Sequence, residues 1–250
     1  LCAKHDLKLI EDSCETMFVS YKGKKVGSFG DISCFSTYMA HLLTSGVGGL
    51  ALTENEDYAV ILRSLMNHGR DSIYVSIDDD KDLSPEGLAN VVARRFSFVR
   101  PGYSFRVTEM EGALALAGLE EKDQILRGRA KCAEYYIAQL KQFENFIQLP
   151  HAQRDREHAY MMFPIVIKNK NIAKKDLVMF LEEHNIETRD MLPLINQPVV
   201  KRQFGEIEND YPVAKWINNN GFYIGSHEKI SQEEREYVVG VFKEFFNNVA

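Results

Sequence analysis

Residues 28–53 read SFGDISCFSTYMAHLLTSGVGGLALT, and this stretch contains the clearest structural pattern in the sequence. An apolar, β-rich segment at 32–38 leads into a polar turn that contains Ser36 and His41. Three glycines close the turn before a second apolar run begins: Gly46, Gly48 and Gly49. Glycines let the backbone adopt positive φ and approach a ligand closely, and consecutive free backbone N–H groups can hold an anion. The stretch therefore predicts a strand, a ligand-binding turn and a second strand.

The composition is that of an ordinary soluble globular chain, with 250 residues, 45% apolar and 26% charged. The length predicts one or two domains. A net charge of −6 argues against nucleic acid as the main partner. No apolar run approaches the roughly 20 residues that span a bilayer, so we expect no membrane insertion.

The four cysteines lack the short paired spacing of a zinc site or a redox dithiol. They are Cys2, Cys14, Cys34 and Cys132. We therefore expect reduced thiols, no metal site and a cytoplasmic protein. No basic segment followed by an apolar one opens the sequence, so no secretory signal is expected.

A short predicted strand at 7–12 ends in two carboxylates, Glu11 and Asp12. An acid at the C-terminal edge of a strand in an α/β sheet lies where ligand contacts gather. The local pattern alone somewhat favours a structural role, either a solvated loop carboxylate or the N-cap of a following turn. The ligand contact and the structural role both stay open at this point.

Thr108 and Glu111 have the spacing of a capping box. They open a predicted long helix that continues to Phe143, with a break near Gly128. We take this helix as the bridge between two domains, at 1–127 and 128–250. From residue 159 onward the pattern is that of a smaller α+β domain, with strands at 160–167 and 186–189 and a last helix at 232–248.

Residues 71–95 form a polar stretch that contains an acidic run at 78–80. The run lacks the glycine and the final Glu of a calcium-binding loop. We interpret the stretch as a surface insertion.

The stretch at 28–53 also resembles the cofactor-lysine segment of the DegT/DnrJ/EryC1/StrS family of pyridoxal-phosphate (PLP) sugar aminotransferases. That family has Gly-Asp, Cys-Phe-Ser-Phe, the lysine that binds the cofactor as a Schiff base, and Thr-Gly-Glu-Gly-Gly. Here His41 stands at the position of the lysine and Val47 at that of the Glu.

Further blocks match the family in the same order, which is more specific than a lone glycine motif. They are Asn-His-Gly at 67–69, Gly-Tyr-Ser-Phe-Arg at 102–106, Ile-Glu-Thr-Arg at 186–189 and the run at 222–227. The resemblance implies the fold of fold-type-I PLP enzymes, with a mostly parallel sheet in a large α/β domain and a smaller C-terminal α+β domain. It also implies a homodimer with shared active sites. In the family about a third of the polypeptide would precede Leu1, so we expect the N-terminal part of the large domain to be missing.

The resemblance implies a role for individual residues. Asp12 would bond the pyridine nitrogen of the cofactor, which makes the ring an electron sink. Glu15 stands where the family has Gln beside the phenolic oxygen. Ser36 would bind the cofactor phosphate, aided by Ser104 of the partner subunit. Three residues would line the sugar-nucleotide pocket: Tyr38, Arg189 and His227.

His41 changes the expected reaction, because imidazole cannot form the Schiff base but can act as a general base near neutral pH. The family subgroup with His at this position resembles 4-keto-6-deoxysugar 3-dehydratases, which hold the cofactor as pyridoxamine phosphate (PMP). We therefore expect a PLP/PMP-dependent, dehydratase-like enzyme acting on nucleotide-linked 4-keto-6-deoxysugars in polysaccharide biosynthesis. Two alternatives remain. One is an aminotransferase with an altered mechanism, which the tetrapeptide at 186–189 followed by Pro193 and Leu194 favours. The other is a homologue that binds cofactor or a partner without turnover.

Overall fold

The computed structural model describes residues 1–71, 81–191 and 194–249. The chain divides into two compact units, Leu1–Lys122 and Asp123–Ala250, called unit 1 and unit 2 below. The division between the units and the predicted domain boundary after residue 127 both fall in the first two turns of one helix. The functional division into a cofactor-binding part and a small domain stays a prediction.

Unit 1 combines a small sheet with helices. Its elements are α1 (Cys2–His5), β1 (Ile10–Asp12), β2 (Ser20–Tyr21), β3 (Lys24–Lys25), β4 (Ile32–Ser36), β5 (Gly49–Leu52), α2 (Glu56–Met66), α3 (Pro85–Arg94) and α4 (Glu109–Glu120). The sheet has the order β1-β4-β5, and β2 and β3 form a separate hairpin. β1 and β4 are parallel, whereas β4 and β5 are antiparallel. The strand, turn and strand predicted for 28–53 are therefore present.

Helix α2 ends where two glycine backbones touch. The side chain of Asn55 caps its first turn by accepting from Tyr58 N at 3.0 Å, as the sequence predicts. Gly69 follows the helix with φ +75°, and a Cβ on it would lie 1.8 Å from the carbonyl oxygen of Arg100. A Cβ on Gly102 would lie 2.0 Å from Gly69 N. Only glycine at both positions lets the segment around residue 102 lie against the end of this helix.

The capping box at the start of α4 is present, with Thr108 N donating to Glu111 Oε2 at 2.7 Å. The predicted position of the helix break is wrong. The interruption lies at Glu121, and α5 (Lys122–Leu140) runs through Gly128 without a break. Gly128 serves packing instead, because a Cβ there would lie 2.5 Å from the Cβ of Glu228.

Unit 2 is an α+β unit, as the sequence predicts. Its elements after α5 are β6 (Ile147–Gln148), β7 (Met162–Ile167), α6 (Lys174–Glu183), β8 (Thr188–Asp190), α7 (Pro198–Phe204), α8 (Pro212–Asn220), β9 (Gly221–Gly225) and α9 (Gln232–Val249). The four strands form an antiparallel sheet in the order β6-β7-β9-β8. Ser231 caps α9, with Glu234 N donating to Ser231 Oγ at 3.2 Å.

One contiguous apolar core fills unit 2. Helices α5, α6 and α9 and the strands β7 and β9 all contribute fully buried side chains to it, among them Tyr136, Leu140, Phe163, Leu177, Leu181, Phe222, Phe242 and Phe246. Aromatic rings pack directly on one another inside it, as Phe143 and Phe246 do at a centroid separation of 4.7 Å. Unit 2 therefore has the burial that an independent core requires.

Two sequence-based interpretations lie wholly or partly outside the described residues. They concern the acidic run at 78–80 and the role of Pro193. The described end of the predicted surface insertion contains α3, which the sequence analysis did not predict. Ser84 caps this helix by accepting from Gly87 N at 3.1 Å, and Val91 is buried at 5% exposure.

Candidate active site

The two carboxylates at the end of β1 have different surroundings. Glu11 accepts hydrogen bonds from the backbone N–H groups of Gly27 at 2.5 Å, Phe29 at 3.0 Å and Gly30 at 3.3 Å. Burial opposes its ionisation, but these bonds and one from Ser13 outweigh it, so the pKa of Glu11 is lowered. The carboxylate oxygens of Glu11 therefore already accept hydrogen bonds that fix the segment at 27–30.

Asp12 keeps acceptor positions open. It is exposed, and the backbone N–H of Cys14 donates to its Oδ1 at 3.3 Å. Hydrogen bonds from the side chain and backbone of Cys14 lower the pKa of Asp12, so this carboxyl is ionised at neutral pH. Of the two acids, Asp12 is the one that can receive a further donor.

Glu15 lies just beyond Asp12 in a turn closed by the hydrogen bond from Thr16 N to Ser13 O at 3.1 Å. It is half-buried. Burial, then the neighbouring Asp12 and, more weakly, Glu15 raise the pKa of the Cys14 thiol to about 11. The surroundings of this turn are therefore negative, and Cys14 stays a neutral thiol.

Ser36 and His41 meet at the end of β4. The Oγ of Ser36 lies 3.4 Å from Nδ1 of His41. Ser36 Oγ also accepts from Tyr38 N at 3.3 Å, and His41 N donates to Tyr38 O at 2.9 Å, which closes the turn. The ring of Tyr38 is 52% exposed and meets the imidazole edge-on at a centroid separation of 6.3 Å.

The parallel register of β1 and β4 brings Asp12 to the same sheet edge as this turn. Asp12 is paired with Cys34, and Ser36 lies two residues further along β4. Strand spacing and rise place the Cα atoms of Asp12 and Ser36 about 8 Å apart. The structure thus brings together three residues that are distant in the sequence by up to 29 positions: Asp12, Ser36 and His41.

A pair of buried hydroxyls that the sequence analysis missed holds the turn. Thr37 Oγ1 and Ser45 Oγ lie 2.7 Å apart, and Ser45 N donates to Thr37 O at 2.8 Å. Ser45 Oγ also lies 2.9 Å from the carbonyl oxygen of Val47, the residue that replaces the family's Glu. Gly48 has φ +131°, and a Cβ on it would meet Thr37 Oγ1 at 3.1 Å. Gly46 and Gly48 therefore adopt the positive φ that the sequence predicts, whereas Gly49 has an ordinary φ as the first residue of β5.

Ser104 lies in a segment that pairs with the end of α2. It forms an antiparallel bridge with Asn67, and Phe105 N donates to Met66 O at 3.1 Å. Nη2 of Arg106 lies 3.0 Å from Nε2 of His68, which must accept because guanidinium only donates. The two motifs at 67–69 and 102–106 are therefore one structural feature. Apart from their shared match to the family, no pattern in the sequence indicates this pairing.

An open groove of about 1380 Å³ lies between β5, α2 and the segment at 103–107. Its lining includes Ser104 and Gly48, and its walls are largely apolar, with Leu50, Leu52, Leu62, Leu65 and Met66. Asp12, Ser36 and His41 are not part of this lining. The groove and the sheet edge that carries His41 are thus separate features of unit 1.

Unit 2 holds the other two predicted pocket residues. Arg189 lies on β8 opposite Tyr223, and its Nη1 donates to Thr188 O at 2.9 Å while Nη2 pairs with Glu187. His227 follows β9 after Ser226. Because Thr188 is opposite Ile224, His227 lies beyond the sheet end at which β8 begins, whereas Arg189 is the middle residue of β8.

Within residues 1–71, 81–191 and 194–249, no cluster of three or more His, Cys, Asp or Glu side chains is arranged to hold a metal ion. In the same part of the chain, every helix is too short or too polar to cross a lipid bilayer.

Comparison with known proteins identifies the family. Residues 1–243 match the model of the DegT/DnrJ/EryC1/StrS aminotransferase family. The chain is 32% identical over 256 residues to the lipopolysaccharide biosynthesis protein RfbH of Salmonella typhimurium, covering 97% of this chain and 57% of that protein. It is 28% identical to a GDP-4-keto-6-deoxy-D-mannose 3-dehydratase of Escherichia coli O55:H7, covering 95% of this chain and 61% of the dehydratase.

Solved structures agree with this assignment. An E. coli GDP-4-keto-6-deoxy-D-mannose 3-dehydratase with bound hydrated PLP superposes with a TM-score of 0.81 at 26% identity, covering 96% of this chain and 61% of that one. This chain thus spans about three fifths of the length of these relatives. The match confirms the predicted PLP-dependent aminotransferase fold, and the chain belongs to the DegT/DnrJ/EryC1/StrS aminotransferase family.

Proposed function

We propose that this protein is a PLP/PMP-dependent enzyme that removes the C3 hydroxyl from a nucleotide-linked 4-keto-6-deoxysugar, with His41 as the base. One observation carries the proposal. The imidazole of His41 stands at the family's lysine position and lies 3.4 Å from Ser36 at the sheet edge that also ends in Asp12. The similarity to a sugar 3-dehydratase and to a lipopolysaccharide biosynthesis protein supports the same reaction and pathway class.

The residues of unit 1 fit the cofactor. Asp12 offers an ionised, exposed carboxylate for the pyridine nitrogen, because Glu11 beside it is already occupied. Ser36 offers a hydroxyl for the phosphate, next to a glycine-rich turn. When bound, the cofactor supplies a conjugated ring that accepts the electron pair left by a departing proton.

The hydrogen bonds around Ser36 are compatible with His41 as a base. A hydroxyl has one donor and two acceptor positions. Ser36 Oγ accepts from Tyr38 N and can accept from Nδ1–H of His41, which leaves its own proton for a phosphate oxygen. In this arrangement Nε2 of His41 would be unprotonated, so that this nitrogen could accept a proton from a bound cofactor. Ser36 therefore orients the base and binds the anion at the same time.

Other predicted roles belong to the same proposal. Glu15 would lie beside the phenolic oxygen and Ser104 of the partner subunit would reach the phosphate. Three residues would bind the sugar nucleotide: Tyr38, Arg189 and His227. The homodimer, the cytoplasmic location and the assignment of 1–127 to cofactor binding remain predictions from the sequence.

The full-length gene product, mixed with PLP, glutamate and a nucleotide-linked 4-keto-6-deoxyhexose, tests the proposal by mass spectrometry of the sugar. We expect a product that has lost the C3 oxygen. An amino sugar would instead establish the alternative, transamination by an altered mechanism. An unchanged sugar with every nucleotide tried would contradict both and favour a homologue that binds without turnover.

Two substitutions test the roles of Asp12 and His41. Asp12→Asn removes the charge that keeps the ring nitrogen protonated, and we expect turnover to fall by about a hundredfold or more. His41→Lys supplies an amine that PLP can bind covalently, and borohydride should then fix cofactor mass on the peptide that contains residue 41. Wild-type protein is the matched control, and it should carry no adduct there. Absence of the adduct in folded His41→Lys protein would show that position 41 does not face the cofactor.

A further inference from the structure

Unit 2 contains a buried ion pair that the proposed chemistry does not use. Nε of Arg129 on α5 lies 3.4 Å from Oε2 of Glu228, and their side chains are only 4% and 11% exposed. Burying two charges is costly unless they are paired and further hydrogen-bonded. Arg129 meets this condition by donating from Nη1 to Met161 O at 2.9 Å and to Ser226 O at 3.3 Å. The pair thus ties α5 to the start of β7 and to the segment after β9.

The same carboxylate also faces His227. Oε2 of Glu228 lies 3.4 Å from Nδ1 of His227, the distance that separates it from Arg129 Nε. The backbone N–H of Lys229 donates to the same Nδ1 at 3.2 Å. A ring nitrogen that accepts from an N–H carries no proton, so the neutral imidazole has its proton on Nε2. Oε2 of Glu228 therefore lies 3.4 Å from both Nε of Arg129, which is charged, and Nδ1 of His227, which would become a partner if it were protonated.

Gly128 is what allows this arrangement. A Cβ at position 128 would lie 2.5 Å from Cβ and 3.0 Å from Cα of Glu228. The absence of a side chain lets the turn after β9 approach the backbone of α5, which brings the carboxylate beside Arg129. The turn that carries His227 therefore packs closely against α5 at Gly128.

We propose that Arg129 is a positioning residue: by pairing with Glu228 it leaves Nδ1 of His227 unprotonated, so that the exposed Nε2–H donates a hydrogen bond to the sugar nucleotide. The identity of the ligand rests on the proposed function. Its hydroxyl and phosphate oxygens are acceptors of the kind that a neutral imidazole N–H can reach. The half-exposed side chain of His227, at 51%, leaves that nitrogen accessible.

The electrostatic surroundings agree with this geometry. Burial lowers the pKa of His227, Glu228 opposes that effect, and the positive charges of Arg129 and Lys229 reinforce it. Within residues 1–71, 81–191 and 194–249, these are the three charged groups that act on the imidazole. Without Arg129, the unmatched carboxylate would attract a proton to Nδ1 and convert His227 into an imidazolium.

Long-range ¹H–¹⁵N NMR of the full-length protein, labelled at the histidine nitrogens, tests the inference without any ligand. In the wild type at pH 7.5 we expect the Nδ1 signal of an unprotonated acceptor. Arg129→Met should move the titration midpoint of His227 to higher pH, and Arg129→Lys should move it back toward the wild-type value. Glu228→Gln should move it to lower pH. Shifts in opposite directions are not expected from a merely structural pair.

Glu233→Gln is the matched control, because it removes an exposed carboxylate near the start of α9 and should leave the midpoint unchanged. Near-UV circular dichroism checks that each variant is folded. If Arg129→Met does not fold, Glu228→Gln alone decides, and an unchanged midpoint in that variant overturns the inference. A protonated Nδ1 in the wild type at pH 7.5 overturns it as well.

Adding GDP-mannose as the probe separates this inference from the proposed function. We expect the Nε2 signal of His227 to shift on binding, and Arg129→Met to raise the dissociation constant about tenfold, the usual loss for one misplaced hydrogen bond. Opposite titration shifts without any response to GDP-mannose would retain the role of Arg129 and overturn the assignment of the ligand.

Discussion

The described residues of unit 1 and unit 2 differ in how much apolar surface they bury. Unit 2 has a continuous apolar core of helices packed on a sheet. Unit 1, within its described residues, buries few apolar side chains, namely Met17, Val19, Phe35, Leu42, Leu43 and Val91. Every residue of β5 is exposed, and Leu50 and Leu52 are 47% and 50% accessible. The loops of unit 1 are instead fixed by backbone contact, buried hydroxyls and a carboxylate.

This difference predicts which substitutions matter in each unit. In unit 2 the loss of apolar volume should dominate, because buried contacts supply its stability. In unit 1 the loss of a single polar atom or the addition of one methyl group should dominate, because those groups set the conformation of the loops. The residues proposed to hold the cofactor therefore lie on the part of the chain that depends most on local geometry.

The largest effect should come from Phe242→Ala in the core of unit 2. This side chain is completely buried, and its removal should cost about 3–5 kcal/mol of unfolding free energy. Leu52→Ala, on the exposed strand β5, should cost less than about 1 kcal/mol. Urea denaturation followed by far-UV circular dichroism measures both, and fluorescence of Trp216, the single tryptophan, reports unit 2. Equal losses in the two variants would contradict the distinction between the units.

The contact between the two glycine backbones should give the next largest effect. Gly69→Ala places a methyl group against the carbonyl oxygen of Arg100 in a positive-φ conformation, which should cost about 1–3 kcal/mol. Hydrogen exchange of the Tyr103 and Phe105 amides, which bond to the end of α2, should accelerate. Gly112→Ala is the control, because a Cβ there meets no atom within 4 Å and should leave these amides protected. Unchanged exchange in Gly69→Ala would show that the contact does not hold the segment.

A smaller loss is expected from the hydroxyl pair under the His41 turn. Ser45→Ala leaves Thr37 Oγ1 and the Val47 carbonyl without this partner, at a cost of about 1–2 kcal/mol. A double-mutant cycle with Thr37→Val should show coupling, because the second substitution removes a group already left unpaired. Met39→Ala, at an exposed side chain of the same turn, provides the control. Strictly additive losses would indicate that the two hydroxyls do not bond.

The smallest effect should be the pH dependence of the segment at 27–30. The pKa of Glu11 is lowered in the folded chain, so the unfolded state binds the proton more readily. The stabilisation is therefore complete above the ordinary glutamate pKa and is lost as pH falls through the lower, folded value. Amide exchange of Gly27 and Phe29 should rise in that acid range in the wild type. In Glu11→Gln the amide exchange rates should already be raised at neutral pH and should not rise further in the acid range. A pH dependence of exchange identical to that of the wild type would remove this role from Glu11.

The sequence predicted most of the elements because their signals are local. Three helix starts were predicted from capping residues that lie within four positions of one another, and all three are confirmed: those at Asn55, at the capping box of Thr108 and at Ser231. The break expected at Gly128 was wrong because glycine weakens a helix locally but also permits close packing, and only the position of Glu228 shows which of the two applies. Helix α3 was not predicted because it lies in a polar stretch and Val91 is its one buried residue.

The residues of the candidate site could likewise be predicted where their signal is local. Asp12, Ser36 and His41 follow from their positions in recognisable motifs, and their roles stay predictions. The groups that hold them were not predictable. Thr37 and Ser45 are small hydroxyl residues like many others, and Arg129 and Glu228 are 99 positions apart in the chain.

The family, most of the elements and the replacement of the expected lysine by His41 could be read from the sequence, because these depend on residue identity and short-range spacing. The folded arrangement of the atoms was needed to show that Glu11 is occupied while Asp12 is open, that two hydroxyls close the turn, and that one carboxylate lies beside both Arg129 and His227. Hydrogen bonds and ion pairs depend on distances of a few ångströms between atoms. Such distances are set by how strands and helices pack, which the spacing of residues along the chain does not specify.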